Sequence, residues 1–186
     1  MHMLTDPTIL IVPGLRDHVA NHWQTLLEAR LPRARSVQPL EQDKLSCAAR
    51  VAALDQALAR IHGPVIVVAH SAGVMITVHW AQTHRRPIHG ALLAAPADLE
   101  SPMPPGYPDM DTLRDNGWLP VPRTPLPFPS VLAASSNDPL CDARRARELA
   151  ACWGSRVVEL GDVGHLNPAA GYGPWPLAQA IIHSLR

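Results

Sequence analysis

Continuous runs of apolar residues recur along the chain, and each run ends at a proline, a glycine or a short polar stretch. The clearest runs are residues 8–12, 65–69, 88–95 and 130–135, and residues 156–160, with two charged side chains, predict a further strand. Most of these runs do not alternate apolar with polar residues, which is typical of strands buried on both faces of a parallel sheet. A weaker run at residues 35–37 predicts one more short strand.

Segments with apolar residues at helical spacing separate these runs. Helices are predicted at residues 21–31, 47–61, 74–83, 142–153 and 177–185, the second of them capped by Ser46 and ended by Gly63-Pro64. Strands that alternate with helices predict an α/β fold. We expect a single domain over residues 1–186, with three α/β/α layers around a mostly parallel sheet of about six strands.

Residues 101–129 interrupt the alternation, because nine of them are prolines. A connection of this length inside a compact domain is usually functional or mobile. Since it lies between two predicted strands of one sheet, we expect an excursion over the sheet edge, with one or two helical turns within residues 109–118.

Composition narrows the class of partner. The 186 residues include 16 Lys and Arg against 16 Asp and Glu, so the net charge is near zero. This balance argues against a nucleic acid or an anionic membrane as partner, because both require a basic surface, and it favours a small neutral or hydrophobic substrate. Nothing in the sequence predicts an oligomeric state.

The cysteines and the N-terminus indicate the cellular compartment. The three cysteines are scattered, without the spacing of a metal site or a disulfide framework, which predicts reduced thiols. Residues 1–7 lack the pattern of a signal peptide, and the most apolar stretch, residues 65–78, is too short to span a bilayer. We therefore expect a cytoplasmic protein.

The strongest chemical pattern is the corner Ala69-His70-Ser71-Ala72-Gly73, which joins a predicted buried strand to a predicted helix. A serine at the apex of a strand–turn–helix unit, with small residues two before and two after it, is typical of a nucleophile elbow. The small residues are needed because the strand and the helix pack closely behind a strained serine. The usual first glycine of the pattern is Ala69 in this chain.

Two further polar residues follow predicted strands, where ligands bind in such sheets. Asp138 follows the run at 130–135, and His165 follows the run at 156–160. The chain order Ser71, Asp138, His165 is the order of an α/β-hydrolase triad. In that arrangement His165 takes the serine proton and Asp138 orients the imidazole, while the backbone N–H groups of Ala72 and Leu15 form the oxyanion hole.

Other residues compete for these roles. Asp98 follows the preceding strand and is the alternative acid, although the Asn-Asp-Pro block favours Asp138. His18 and His22 have the i, i+4 spacing of helical metal ligands, but no third ligand lies nearby in sequence, so we expect neither a metal nor a cofactor. We expect His70 to point away from the site and pack beneath it.

Pocket walls are predicted from scarce side chains near the site. His22 lies close to the expected oxyanion loop, and three aromatic residues lie on predicted loops: Trp118, Phe128 and Trp175. Core filling is the ordinary role of such aromatics, but one or two of them can form the wall of an acyl pocket.

Several sequence blocks together carry a family resemblance over nearly the whole chain. They are Val12-Pro13-Gly14 with His22-Trp23, the elbow, Ser136-Asn137-Asp138-Pro139, Gly164-His165-Leu166-Asn167 and Gly171-Tyr172-Gly173-Pro174-Trp175-Pro176. The chain resembles the small serine hydrolases of the retinoblastoma-binding protein 9 and YdeN type. The resemblance implies a minimal α/β-hydrolase without a large cap domain and a Ser-Asp-His triad, with simple esters as model substrates and no defined physiological substrate. The nearest match to a Leu-x-Cys-x-Glu motif ends in Ala49, so the retinoblastoma partner is not carried over.

The expected function is therefore that of a serine hydrolase that cleaves small carboxylic esters, with amides and thioesters as related substrates. Two alternatives stay open at this stage: a ligand- or protein-binding member of the fold with little turnover, and an acyltransferase that uses the same triad. Dehalogenase chemistry is disfavoured, because it places Asp at the elbow and residue 71 is Ser.

Overall fold

Six parallel strands form one sheet at the centre of the molecule. The computed structural model describes residues 6–186. The strands are β1 (Thr8–Val12), β2 (Ala34–Ser36), β3 (Val65–Ser71), β4 (Gly90–Pro96), β5 (Ser130–Ala134) and β6 (Arg156–Glu159). They lie in the order β2-β1-β3-β4-β5-β6, and every neighbouring pair is parallel. The strand order reverses between β1 and β3, which is where doubly wound sheets bind their ligands.

Helices cover both faces of the sheet because successive strand residues point to opposite sides. On one face, Ile9 and Ile11 of β1 pack in a cluster with α1 (Trp23–Arg30) and α6 (Pro176–Ser184). On the other face, Leu10 and Val12 share a cluster with α2 (Cys47–Ala59), α3 (Ala72–Thr83) and α5 (Ala143–Trp153). This burial on both faces explains why the inner strands β1, β3, β4 and β5 are largely apolar, whereas the edge strands β2 and β6 contain exposed charged residues. The predicted single-domain α/β fold without a large cap is confirmed.

Local signals set the helix starts. The side chain of Ser46 accepts a hydrogen bond from the backbone N–H of Ala49, so it caps α2 as predicted. Helix α1 begins later than expected because His22 is its N-cap, with Nδ1 accepting from the N–H of Gln24. Helix α2 ends at Ala59, two residues before the predicted end.

The proline-rich excursion divides into two parts. Its early residues Met103, Tyr107 and Pro108 lie beside a cleft at the carboxyl end of the sheet. A short helix, α4 (Met110–Asp115), follows, and the later residues pack into the core on the α2, α3 and α5 face. This second part is tied down through Trp153, whose indole N–H donates to the carbonyl of Pro122.

Within the part of the chain that the structure describes, no helix combines the length and apolarity needed to cross a bilayer. The predicted absence of a signal peptide concerns residues 1–7, of which residues 1–5 lie outside the described residues.

Candidate active site

Ser71 occupies the tight corner between β3 and α3. Its backbone has φ 58° and ψ −123°, a conformation that costs a non-glycine residue free energy and is concentrated at functional sites. Close packing behind the corner requires Gly73, because a Cβ there would lie 2.1 Å from the Val12 carbonyl oxygen and 2.7 Å from that of Pro13. The corner therefore has the geometry of a nucleophile elbow.

Three side chains from three loops meet at this corner. The Oγ of Ser71 lies 2.8 Å from Nε2 of His165, and Nδ1 of His165 lies 2.8 Å from Oδ2 of Asp138. Because a carboxylate only accepts hydrogen bonds, Nδ1 of His165 carries the proton. Its Nε2 is then unprotonated in the neutral ring and accepts the Ser71 hydroxyl proton. This is the tautomer that a general base needs to activate a serine.

The two candidate acids have different surroundings. Asp138 is buried beside His165, and its Oδ1 also accepts from the N–H of Leu140 at 2.8 Å. Asp98 instead accepts from Nε of Arg145 at 3.1 Å and from the Ser101 hydroxyl at 2.7 Å. The geometry thus favours Asp138 as the partner of His165 and gives Asp98 a structural ion pair.

The loop that carries His165 is held from the neighbouring strand. The side-chain oxygen of Asn137 accepts a hydrogen bond of 2.7 Å from the N–H of Gly164. Gly164 has φ 57°, and a Cβ at this position would lie 2.6 Å from the Cβ of Ala170. After β5, Asn137 therefore positions the backbone that precedes His165, and Asp138 positions the imidazole of His165.

His70 and His22 pack beside His165 with their rings tilted to one another. The ring centroids of His70 and His165 are 4.9 Å apart, and those of His22 and His70 are 4.6 Å apart. Nε2 of His70 lies 2.8 Å from the backbone carbonyl of His165, so the proton of His70 is on Nε2. His70 therefore does not point away from the site as expected. It lies on the wall of the cleft and binds the main chain of His165.

Burial keeps both of these histidines neutral. It holds the pKa of His70 well below its ordinary value, and burial together with the nearby charge of His165 lowers the pKa of His22 to about 4. The unfolded chain therefore binds more protons than the folded one between about pH 6.5 and pH 4 at His22. Stability from this group is present above pH 6.5 and is lost as the pH falls through that window.

The loop after β1 forms the other side of Ser71. A Cβ at Gly14 would lie 3.3 Å from the Cβ of Ser71, so this loop passes directly against the elbow. Leu15 and Ala72 both line the cleft at this place. An ion pair between Asp17 and the buried Arg50 anchors the loop, and Arg50 also donates to the Leu15 carbonyl at 3.3 Å. Of the two candidate oxyanion donors, Leu15 is therefore held by Arg50, and Ala72 belongs to the first turn of α3.

The cleft at Ser71 has a volume of about 160 Å³. Its walls are mostly apolar and combine the loop after β1 with the start of the proline-rich excursion, and His22 is among the lining residues as predicted. Trp118, Phe128 and Trp175 are not, so the suggestion that they form its wall is corrected. All three are buried in the core, where their large apolar surface is removed from water. The indole N–H of Trp118 is satisfied there because it donates to the Leu45 carbonyl.

A family model described as serine hydrolase matches residues 9–184 of the chain. The chain belongs to the serine hydrolase family. A Pectobacterium atrosepticum protein described as a YdeN-like hydrolase is 32% identical, with a TM-score of 0.81 over 96% of this chain and 89% of that one. The ydeN gene product of B. subtilis is 18% identical, with a TM-score of 0.73 over 97% of this chain and 98% of that one. A comparison with curated protein sequences finds no match.

A further solved structure, the type II thioesterase BorB from the borrelidin biosynthetic cluster, is 16% identical. Its TM-score is 0.64 over 98% of this chain and 94% of that one, a likeness of fold alone. The predicted resemblance to YdeN-type serine hydrolases is confirmed, and the protein is a hydrolase of the α/β-hydrolase fold.

Metal ligation does not explain the histidines of this serine hydrolase. Within residues 6–186, no three His, Cys, Asp or Glu side chains are grouped so that they could bind a metal ion. Nδ1 of His22 is already used as the cap of α1. The cysteines are free thiols, and burial raises the pKa of Cys47 to about 11 and that of Cys141 further, so both stay protonated at neutral pH.

Sequence reasoning missed two residues that support the site. Arg50 lies on α2 and reaches back to Asp17 over 33 residues, and no local pattern marks that pairing. Gln24, on α1, is buried and donates from its side-chain nitrogen to the carbonyls of Val12 and Val68, at 3.3 and 3.0 Å. The sequence holds no signal for the burial of Gln24, because a glutamine in the first turn of a helix is ordinarily exposed.

Proposed function

We propose that this serine hydrolase cleaves small carboxylic esters through an acyl-enzyme on Ser71. The observation that carries the proposal is the continuous set of hydrogen bonds from Ser71 Oγ through His165 to Asp138, each 2.8 Å long. A serine hydroxyl is a poor nucleophile until a base takes its proton, and this arrangement supplies the base in the required tautomer.

The reaction would proceed in two halves. The Ser71 oxygen bonds to the ester carbonyl carbon as its proton passes to Nε2 of His165, and the imidazolium then gives that proton to the departing alcohol oxygen. A water molecule, deprotonated by His165, attacks the acyl-enzyme and releases the acid and the free serine. Asp138 keeps the imidazole oriented and stabilises its positive form.

The oxyanion formed in both halves needs backbone donors. We assign this role to the N–H groups of Ala72, at the N-terminus of α3, and Leu15, on the loop held by Arg50. Both residues line the cleft beside Ser71. Loss of one such donor typically costs about 3–4 kcal/mol in the barrier.

The test is covalent labelling with a fluorophosphonate probe, followed by turnover of nitrophenyl esters of increasing chain length. We expect wild type to be labelled and Ser71→Ala to be unlabelled, with turnover reduced at least about 10³-fold. Labelling that does not depend on Ser71 would refute the proposal and favour a binding role for the fold. Labelling with no ester hydrolysis, but release of nitrophenol and acyl transfer when an alcohol is added, would assign an acyltransferase instead.

A further inference from the structure

One charged group in the cleft is not used by the proposed reaction. Arg16 lies at the cleft beside Leu15, and its guanidinium carbon is 5.7 Å from the centroid of the Tyr107 ring. Tyr107 belongs to the proline-rich excursion, so this contact joins the loop after β1 to the opposite wall of the cleft.

Arg16 is exposed where it lines the cleft. Among residues 6–186, no Asp or Glu forms an ion pair with Arg16, whereas Arg50 and Arg145 pair with Asp17 and Asp98. Asp17, the residue next to Arg16, is already committed to Arg50. A guanidinium placed in this way keeps its planar set of N–H donors available for an anion.

The other titratable groups of the cleft do not supply a second positive charge. His22 and His70 are neutral, and His165 carries its proton toward Asp138. The remaining walls are largely apolar and include Leu99 and Met103. A ligand in this cleft would therefore meet largely apolar walls beside Ser71, the cation of Arg16, and the Asp17 carboxylate, which is paired with Arg50.

We propose that Arg16 selects substrates in which a short apolar segment separates the scissile ester from an anionic group such as a carboxylate. This inference rests on the proposed function and names the substrate class of the same site. The anion belongs either to the acyl part or to the alcohol part of the ester, and the two arms of the following experiment distinguish these sources.

The first arm compares the 4-nitrophenyl half-ester of adipate with 4-nitrophenyl hexanoate, which has the same chain length and no carboxylate. The second arm compares the butyryl ester of 4-hydroxybenzoate with the butyryl ester of methyl 4-hydroxybenzoate. We expect kcat/KM to favour the charged ester about fivefold in one arm, the upper end for a partly exposed ion pair. Raising the salt concentration should reduce this preference.

Substitutions of Arg16 test whether this residue causes the preference for the charged ester. In Arg16→Gln the ratio of charged to neutral kcat/KM should fall toward one, and Arg16→Lys should retain most of it. Arg60→Gln is the matched control, because Arg60 is an exposed arginine at the end of α2, toward the amino ends of the strands, whereas the cleft lies at their carboxyl ends. That variant should keep the wild-type ratio.

The outcomes separate this inference from the proposed function. Ser71-dependent turnover of the neutral esters, with no charged preference in either arm or with a preference that survives Arg16→Gln, would overturn the role of Arg16 alone. If no ester is turned over and Ser71 is not labelled by the fluorophosphonate, both proposals fail.

Discussion

Substitution of Gly73 by alanine is the sharpest structural test of the elbow. The new Cβ would lie 2.1 Å from the Val12 carbonyl oxygen, whereas ordinary contacts begin at 3.4 Å, so the elbow and β1 must separate by about 1 Å. The obstacle is main chain, so no side-chain rotation relieves it. Overpacking of this kind costs about 3 kcal/mol, and the better helix propensity of alanine offsets about 1 kcal/mol of it.

A net loss of about 2 kcal/mol lowers the melting temperature of a chain of this size by about 4–8 °C. The same displacement moves Ser71 relative to His165, and an error of about 1 Å in a reacting group costs about 10²-fold in rate. The assays are thermal unfolding and the second-order rate of fluorophosphonate labelling. We expect both to fall in Gly73→Ala.

Gly173→Ala is the matched control, because a Cβ at this position meets no atom within 4 Å and its backbone does not require glycine. It should stay within about 0.5 kcal/mol of wild type. If Gly73→Ala melted and was labelled like this control, the close approach of the elbow to β1 would be wrong, and so would the reasoning that makes residue 73 small.

Three further predictions concern the side chains around the triad. Asp138→Asn should lower the labelling rate by about 10⁴-fold, whereas Asp98→Asn should leave it within about twofold of wild type; the reverse result would reassign the acid. His70→Leu leaves the buried His165 carbonyl without its donor and should slow labelling about 10- to 100-fold. His70→Gln can donate from the same position and should recover much of the rate. Equal losses in both variants would exclude the hydrogen bond as the cause. His22→Asn keeps a capping side chain but removes the group with the lowered pKa. Between pH 7 and pH 4 its free energy of unfolding should therefore decline less than that of wild type, by up to about 3 kcal/mol. The measurement is urea unfolding as a function of pH, and parallel profiles for the two proteins would contradict the neutral state of His22.

The strands could be predicted because burial on both faces requires apolar side chains at consecutive positions of the sequence. A strand covered by helices on both faces is apolar at nearly every position. The strands β3 and β4 can therefore be recognised from a few consecutive residues. The candidate site was predictable for a related reason, since Ser71, Asp138 and His165 each follow a strand and parallel strands end at one edge of the sheet. Their meeting within hydrogen-bonding distance is consistent with that reasoning, and their catalytic roles stay predictions.

What the sequence did not reveal depends on contacts between distant segments. Nε2 of His70 meets the carbonyl of a residue 95 positions away, and nothing near His70 distinguishes that contact from simple packing. The alternative that aromatic residues on loops line the cleft was wrong for a similar reason. Trp118 and Trp175 lie outside the regular strands, yet the area that they bury draws them into the core and away from the cleft.

The assembly of the triad from remote loops also makes the site a reporter of folding. Ser71 and His165 are 94 residues apart, and His165 and Asp138 are 27 apart. During synthesis the elbow can form long before its base exists, since His165 follows the last strand to be made. If Ser71 reacts as proposed, its reactivity toward the fluorophosphonate would appear only after β5 and β6 have joined the growing sheet. Reactivity at this one serine would then report that the strands preceding Asp138 and His165 are in place.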